Sequence, residues 1–289
     1  MSAQHLILAA AYDQAAVLAR EVGTRMAERL DYMKIDPQRM ADIGCATGDG
    51  IRDLQARYPK AQALAIDISL TMLQSVQQRG MPSSRLARFL PALLTAGPPR
   101  AQCLNADVRA LPLIGDSLDL IWSNLMLHWL DDPRPALREI HRTLNTGGLL
   151  MFATLGPDTL REIREALRKV GASDTADTTM RFIDMHDIGD MLVGAGFGDP
   201  VMDMESIDLT YHHPRQFLTD QRHLGVRDAF LGRQSFHIWR KTFSAWQPDP
   251  HGRWPMRFEI IYGHAWKPKP RPVPKKTAEG HAVVNFHRP

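Results

Sequence analysis

The stretch RMADIGCATGDGIRDLQARYP, residues 39–59, decides the fold. A short apolar run ends on Asp42 and Gly44, passes through a turn of small residues and resumes with helical character. Strand, glycine turn and helix in that order form the opening half of a strand-helix-strand unit. The pattern then repeats. AQALAID at 61–67 has the character of a second buried strand, and SLTMLQSVQQRG at 69–80 that of a helix, with Ser69 placed as its N-cap and Gly80 as its stop. QCLNADV (102–108), SLDLIWSNL (117–125) and GGLLMFATL (147–155) predict three more strands, and DPRPALREIHRTL (132–144) a helix before the last of them. Such alternation predicts an α/β domain, a parallel sheet with helices on both faces.

Outward from this core, YDQAAVLAREVGTRMAERLDYM (12–33) predicts an amphipathic opening helix with Val17, Val22, Met26 and Leu30 on its apolar face. MPSSRLARFLPALLTAGPPRA (81–101) breaks the rhythm with Pro and Gly at both ends and reads as a surface insertion. TLREIREALRKVG (159–171) and MHDIGDMLVGAGF (185–197) predict helices, the second closed by a glycine-rich C-cap. VMDMESIDLTY (201–211) and RFEIIYGHAW (257–266) have strand character and flank a helical cap at about 211–250. The domain is expected to run over 1–266. The Pro-rich basic tail at 267–289 is expected to be flexible.

The chain has 289 residues and 44% hydrophobic content, enough for one large domain. No apolar run approaches the roughly 20 residues of a membrane span, and the N-terminus lacks the basic start of a secretory signal. A cytoplasmic protein with no membrane partner is expected. Cys45 and Cys103 suit neither a metal site nor a disulfide framework, and the 12 histidines contain no HExxH cluster, so no metal is expected. The net charge of +3 hides an asymmetry: residues 211–289 carry 14 Lys and Arg against 5 Asp and Glu. A C-terminal third this basic points to an anionic partner.

In a doubly wound sheet a ligand sits outside the carboxyl ends of the strands, where backbone N–H groups and a helix N-terminus converge. Gly44, Ala46, Gly48 and Gly50 occupy that turn and let the backbone approach a ligand closely. Their spacing is not the pyrophosphate fingerprint. The second strand ends at Asp67, 23 residues after Gly44, where a carboxylate can accept the hydroxyls of a ribose. Asp107 closes the third strand, where it could accept an exocyclic adenine amine, and Asn124 lies at the end of the fourth. Acidic and amide groups without a phosphate-binding Lys or Arg favour a nucleoside ligand with a positive centre.

These residues resemble the class I S-adenosylmethionine-dependent methyltransferases. AAAYDQAAVLAREV before the loop, SNLMLHWLDDPRPALREIHRTLNTGGLLMFATLGPDTLREIREAL, RFIDMHDIGDML and WPMRFEIIYGHAWKP narrow the resemblance to the malonyl-[acyl-carrier protein] O-methyltransferases of biotin synthesis, over most of residues 9–267. The resemblance implies a Rossmann-like seven-stranded sheet whose last strand is antiparallel, and S-adenosyl-L-methionine as cofactor. It implies cofactor contacts at Asp42, Gly44, Cys45, Gly48, Asp67, Ile68, Met72, Asp107, Val108, Asn124 and Leu125, with Tyr12 facing cofactor and substrate. Ala46 stands where the superfamily commonly has Gly, which is tolerable if the position needs no positive φ. The substrate implied is a malonyl thioester on an acyl-carrier protein, whose acidic surface would meet the basic C-terminal third. Methylation on its carboxylate would start pimeloyl synthesis. A small-molecule methyltransferase and a methyltransferase-like assembly factor of a respiratory complex are the alternatives. A nucleic-acid substrate is not expected, because Leu125 follows Asn124 in place of the Pro-Pro-aromatic run used on flipped bases.

A malonyl carboxylate is already ionised at pH 7, so no general base is required. Its recognition calls for the planar fork of an arginine. Arg181, Arg134 and Arg222 are the candidates in that order, with His128 and Trp129 under or beside the substrate.

Overall fold

A computed structural model describes residues 10–79, 100–171, 181–232 and 234–269. The insertion expected at 81–101 lies almost wholly outside these residues, as does the tail from 270 onward.

Seven strands form one sheet: β1 Arg39–Ile43, β2 Gln62–Asp67, β3 Gln102–Asn105, β4 Leu118–Asn124, β5 Leu144–Leu155, β6 Gly198–Tyr211 and β7 Trp254–Trp266. Their order is β3-β2-β1-β4-β5-β7-β6. Pairs among β1 to β5 are parallel, and β7 runs antiparallel to both β5 and β6, as the sequence led us to expect. The helices are α1 Val17–Leu30, α2 Asp49–Arg57, α3 Leu70–Arg79, α4 Arg134–Thr143, α5 Arg161–Lys169 and α6 Met185–Gly194. Three more, α7 Pro214–His223, α8 Arg227–Leu231 and α9 Phe236–Ala245, lie between β6 and β7.

Alternation along the strands divides the core in two. In β5, Leu149, Met151 and Ala153 join the layer containing Val22, Met26 and Leu30 of α1, whereas Leu150 and Phe152 join the layer containing Leu137 and Ile140 of α4 and Leu192 of α6. Every one of these side chains is at most 1% exposed, which explains why the central strands read as continuous apolar runs. Two expectations need correction. The opening helix breaks at Ala16, whose ψ of 30° is not helical, and within α1 the i, i+4 stripe runs Leu18, Val22, Met26 and Leu30, so Leu18 turns inward and Val17, five residues before Val22, is left 51% exposed. Lys267 is no tail residue: its ammonium donates to the Asp116 carboxylate and to the carbonyls of Arg142 and Leu144.

The antiparallel strand is fitted by a missing side chain. Gly263 pairs with Phe152 on one side and Met202 on the other, and a Cβ there would run into the Phe152 ring. Gly263→Ala must displace a fully buried aromatic, and overpacking of this kind typically costs about 1–3 kcal/mol. Urea unfolding should show that loss; unchanged stability would mean that β7 is not held against Phe152.

Candidate active site

The glycine loop is shaped by what it touches on both sides. Gly44 N–H and Cys45 N–H donate to the Ile66 carbonyl at 2.8 and 3.1 Å, drawing the loop over the end of β2. Gly44 has φ +75°, and a Cβ on it would lie 2.5 Å from Met126 Cγ, so the position is closed to other residues. Ala46 adopts φ +45°, so the condition under which Ala would be tolerated there without strain is not met. What holds it there is Asp67, whose Oδ2 accepts from Ala46 N–H at 2.9 Å while Oδ1 accepts from Ser69 N–H at 2.7 Å. Ser69 also receives the Met72 N–H at 3.4 Å, consistent with its reading as a helix cap.

A second set of bonds fastens the N-terminal segment across this loop. Thr47 Oγ1 donates to Asp13 Oδ1 at 2.7 Å, Arg79 pairs with the other Asp13 oxygen, and Arg79 also donates to the Thr47 carbonyl at 3.2 Å. At the end of β4, Asn124 Nδ2 donates to the Ala19 carbonyl at 2.8 Å. The Asn124 Oδ1 is buried without a partner.

Between these elements lies a cavity of about 480 Å³. Of the residues expected to meet the cofactor, Gly44, Asp67, Ile68, Met72, Asp107, Val108, Asn124 and Leu125 line it, together with Tyr12 and Trp129. Asp42, Cys45 and Gly48 are not on its wall. Asp42 lies beneath the loop, 2% exposed; Cys45 is buried in the core behind it; and Gly48, at φ +89°, packs toward Val76 ahead of α2.

A smaller chamber of about 120 Å³ adjoins the first, and Tyr12, Ala19, Leu125, Trp129 and Leu224 line both. Its wall is mainly apolar, from Leu18, Leu155, Leu209, Val226, Phe230 and Phe258, with Tyr211, Asp220, Gln221 and His128 as the polar exceptions. His128 is 9% exposed and packs among Trp129, Phe182 and Phe230. The three expected arginines are not brought here. Arg134 is exposed and bound to Asp132 at 2.8 Å, and Arg181 and Arg222 are exposed; none lines either chamber. Among the described residues the cation on these walls is Arg109, which grips Asp107 through both carboxylate oxygens. Gln221 and Tyr211 escaped the sequence reading. The signal for Gln221 was a polar residue on the buried stripe of α7, between Phe217 and Leu224; Tyr211, the last residue of β6, offered none.

Burial and the gathering of acids set the protonation states. Burial pushes Asp42 up to about 8, with the nearby Asp67 charge adding to it. Burial and the same acid hold the Tyr12 hydroxyl up at about 12. Asp67 is also raised by burial, although its two backbone N–H partners oppose this. Asp107 is held low by Arg109. Burial drives His128 down to about 3 and Cys45 upward, so imidazole and thiol are both neutral at pH 7.

Two outcomes follow. A folded Asp42 that titrates near 8 keeps a proton that the unfolded chain releases near 3.8, so its contribution weakens stability as pH rises between those values. Asp42→Asn should match the parent near pH 4 and gain on it steadily toward pH 8 in cofactor-free unfolding series; a constant difference would place the titration elsewhere. Ala46→Gly removes a left-handed strain of roughly 1–2 kcal/mol at the expense of about 0.5–1 kcal/mol of backbone entropy. A gain of about 0.5–1 kcal/mol in chemical unfolding is expected; a loss would mean that Ala46 is not strained.

Comparison with known proteins agrees with this geometry. A methyltransferase-domain family model matches residues 41–152, the span from β1 to β5. The solved structure of YcgJ from Bacillus subtilis superposes over 85% of this chain and 98% of its own, with a TM-score of 0.57 at 14% identity, and shows the same fold. The malonyl-[acyl-carrier protein] O-methyltransferase of Laribacter hongkongensis is 44% identical over 96% of this chain and 92% of its own. The protein of that name from Gallionella capsiferriformans is 44% identical over 90% and 87%. Identity at this level along nearly the whole of both chains places the protein in the malonyl-[acyl-carrier protein] O-methyltransferase family.

Proposed function

We propose that the protein transfers a methyl group from S-adenosyl-L-methionine to the free carboxylate of a malonyl thioester on an acyl-carrier protein, in the cytoplasm. The observation that carries this reading is the pair of chambers sharing one wall, the larger rimmed by acids and the smaller mainly apolar. The family places the product at the start of pimeloyl synthesis for biotin. Neither the small-molecule alternative nor the assembly-factor alternative is favoured by relatives at 42–44% identity that share the malonyl-[acyl-carrier protein] name.

The larger chamber fits the cofactor. Asp67 has lone pairs left for ribose hydroxyls after its two backbone bonds, and the orphaned Asn124 Oδ1 offers an acceptor to an ammonium. Ile68, Met72 and Val108 would flank an adenine, with Asp107 near its amine. Bound there, S-adenosylmethionine supplies a methyl group on a sulfonium, an electrophile that needs no further activation.

The chain's part is positioning and exclusion of water. Leu125, fixed at φ +53° by its N–H bond to the Ala153 carbonyl at 2.9 Å, forms the partition with Leu224 and Ala19. Trp129 and Tyr12 complete it, and Tyr12 stays protonated as a donor. Alignment at such a wall can contribute on the order of 7–11 kcal/mol. Arg215, Arg222, Arg240 and Lys241 are exposed on the cap helices and suit the docking of an acidic carrier.

Neither Tyr12 at about 12 nor His128 at about 3 changes state near neutrality, and a malonyl carboxylate is already ionised. With both substrates saturating, kcat should therefore be flat from about pH 6 to 7, below the range in which Asp42 titrates. Formation of S-adenosylhomocysteine should occur with malonyl carrier and not with acetyl carrier. A limb rising with pH, or turnover of acetyl carrier, would refute a carboxylate acceptor and favour a substrate that needs a base.

A further inference from the structure

The acceptor's carboxylate needs recognition, yet no arginine or lysine faces the smaller chamber among the described residues. Gln221 lines it, and the acceptor oxygen of its side-chain amide has no partner. Gln221 is 2% exposed, on a helix stripe whose neighbours Phe217 and Leu224 are apolar, and its Oε1 is buried with no hydrogen bond. A buried amide left unsatisfied is costly, and natural structures rarely tolerate it without a ligand or water to meet it. It lies one helical turn before Leu224, which belongs to the wall shared with the larger chamber. Tyr211, at the end of β6, lines the same chamber.

We propose that Gln221 and Tyr211 are the specificity-determining residues for the acceptor, reading the malonyl unit through neutral hydrogen bonds in place of an arginine. This rests on the malonyl reading above. The Gln221 amide can turn to present its N–H2 to a carboxylate or thioester oxygen, and the Tyr211 hydroxyl donates a second bond. Burial and the neighbouring Asp220 charge keep that hydroxyl protonated. Malonyl carries both kinds of oxygen one methylene apart, so a donor one turn behind the wall is within reach of the unit whose carboxylate sits at the wall. The choice of neutral donors has a chemical consequence. A guanidinium would hold the attacking oxygen in an ion pair and blunt it, whereas neutral donors orient the anion and leave the cofactor's positive centre as its main counter-charge.

The test uses the full chain with Gln221→Leu, which keeps the volume and removes the amide, and Tyr211→Phe. Each should lower kcat/KM for malonyl carrier by about 10- to 100-fold, the range for losing a hydrogen bond to a charged group. Calorimetry should show malonyl-pantetheine binding weakened in step, with S-adenosylmethionine affinity within about twofold of the parent. Gln221→Leu should unfold at the same or higher urea concentration, because an unsatisfied polar group has been replaced by an apolar one; a merely structural glutamine would lose stability. Unaltered kcat/KM and malonyl-pantetheine affinity in both variants, with a parent that methylates malonyl carrier, would overturn this assignment alone. A parent that does not methylate malonyl carrier would overturn the reading beneath it.

Discussion

The Asp67 carboxylate is the constraint on which the site depends. One oxygen holds the glycine loop through Ala46 and the other holds the start of α3 through Ser69, so a single side chain fixes the two backbone segments that frame the cavity. Its position is itself set by the parallel pairing of β1 and β2, in which Ile43 lies opposite Ile66. Asn105 Nδ2 reinforces the corner by donating to the Asp67 and Ile68 carbonyls at 3.0 and 2.9 Å. The rest of the architecture supports that corner. α1 closes it through Asn124 and the Ala19 carbonyl, and the Asp13, Thr47 and Arg79 cluster straps the N-terminal segment over it.

Stability is given up around the cavity in recognisable ways. Ala46 and Leu125 both sit at positive φ on its wall, the Asp42 carboxyl is buried beneath it close to Asp67, and Asn124 and Gln221 leave buried amide oxygens without donors. Each of these weakens the free protein and each faces, or backs, one of the two chambers. Strain and unsatisfied polarity at the wall of a cavity are the expected mark of a site whose balance is completed by ligands.

Much of this was legible before any coordinates. The run from Arg39 to Pro59 and the acids at strand ends follow fixed geometric rules of parallel sheets, so the parallel sheet and the placement of Asp67 and Asn124 could be read from spacing, and the seven strands with an antiparallel last one from resemblance. What escaped depends on contacts between distant segments. Ala46 carries no sign of positive φ, because the Asp67 bond that imposes it comes from 21 residues away. Leu18, not Val17, shares the i, i+4 stripe of Val22, Met26 and Leu30, so that face was legible in the spacing and was misassigned by one residue. The arginines were chosen for the carboxylate they could grip, and none of them lines either chamber; of the residues expected near the substrate, Tyr12, His128 and Trp129 do line the acceptor chamber, whereas Tyr211 and Gln221 come from β6 and the cap, which pack against distant segments.

In the proposed reaction donor and acceptor occupy two chambers meeting at the wall of Tyr12, Leu125 and Leu224. A crystal structure with S-adenosylhomocysteine and malonyl-pantetheine tests it most directly. The account predicts the adenosyl group on Asp67, the malonyl carboxylate at the shared wall, and no guanidinium within hydrogen-bond distance of that carboxylate. A malonyl carboxylate paired with an arginine, or lying outside the chamber lined by Gln221 and Tyr211, would contradict it.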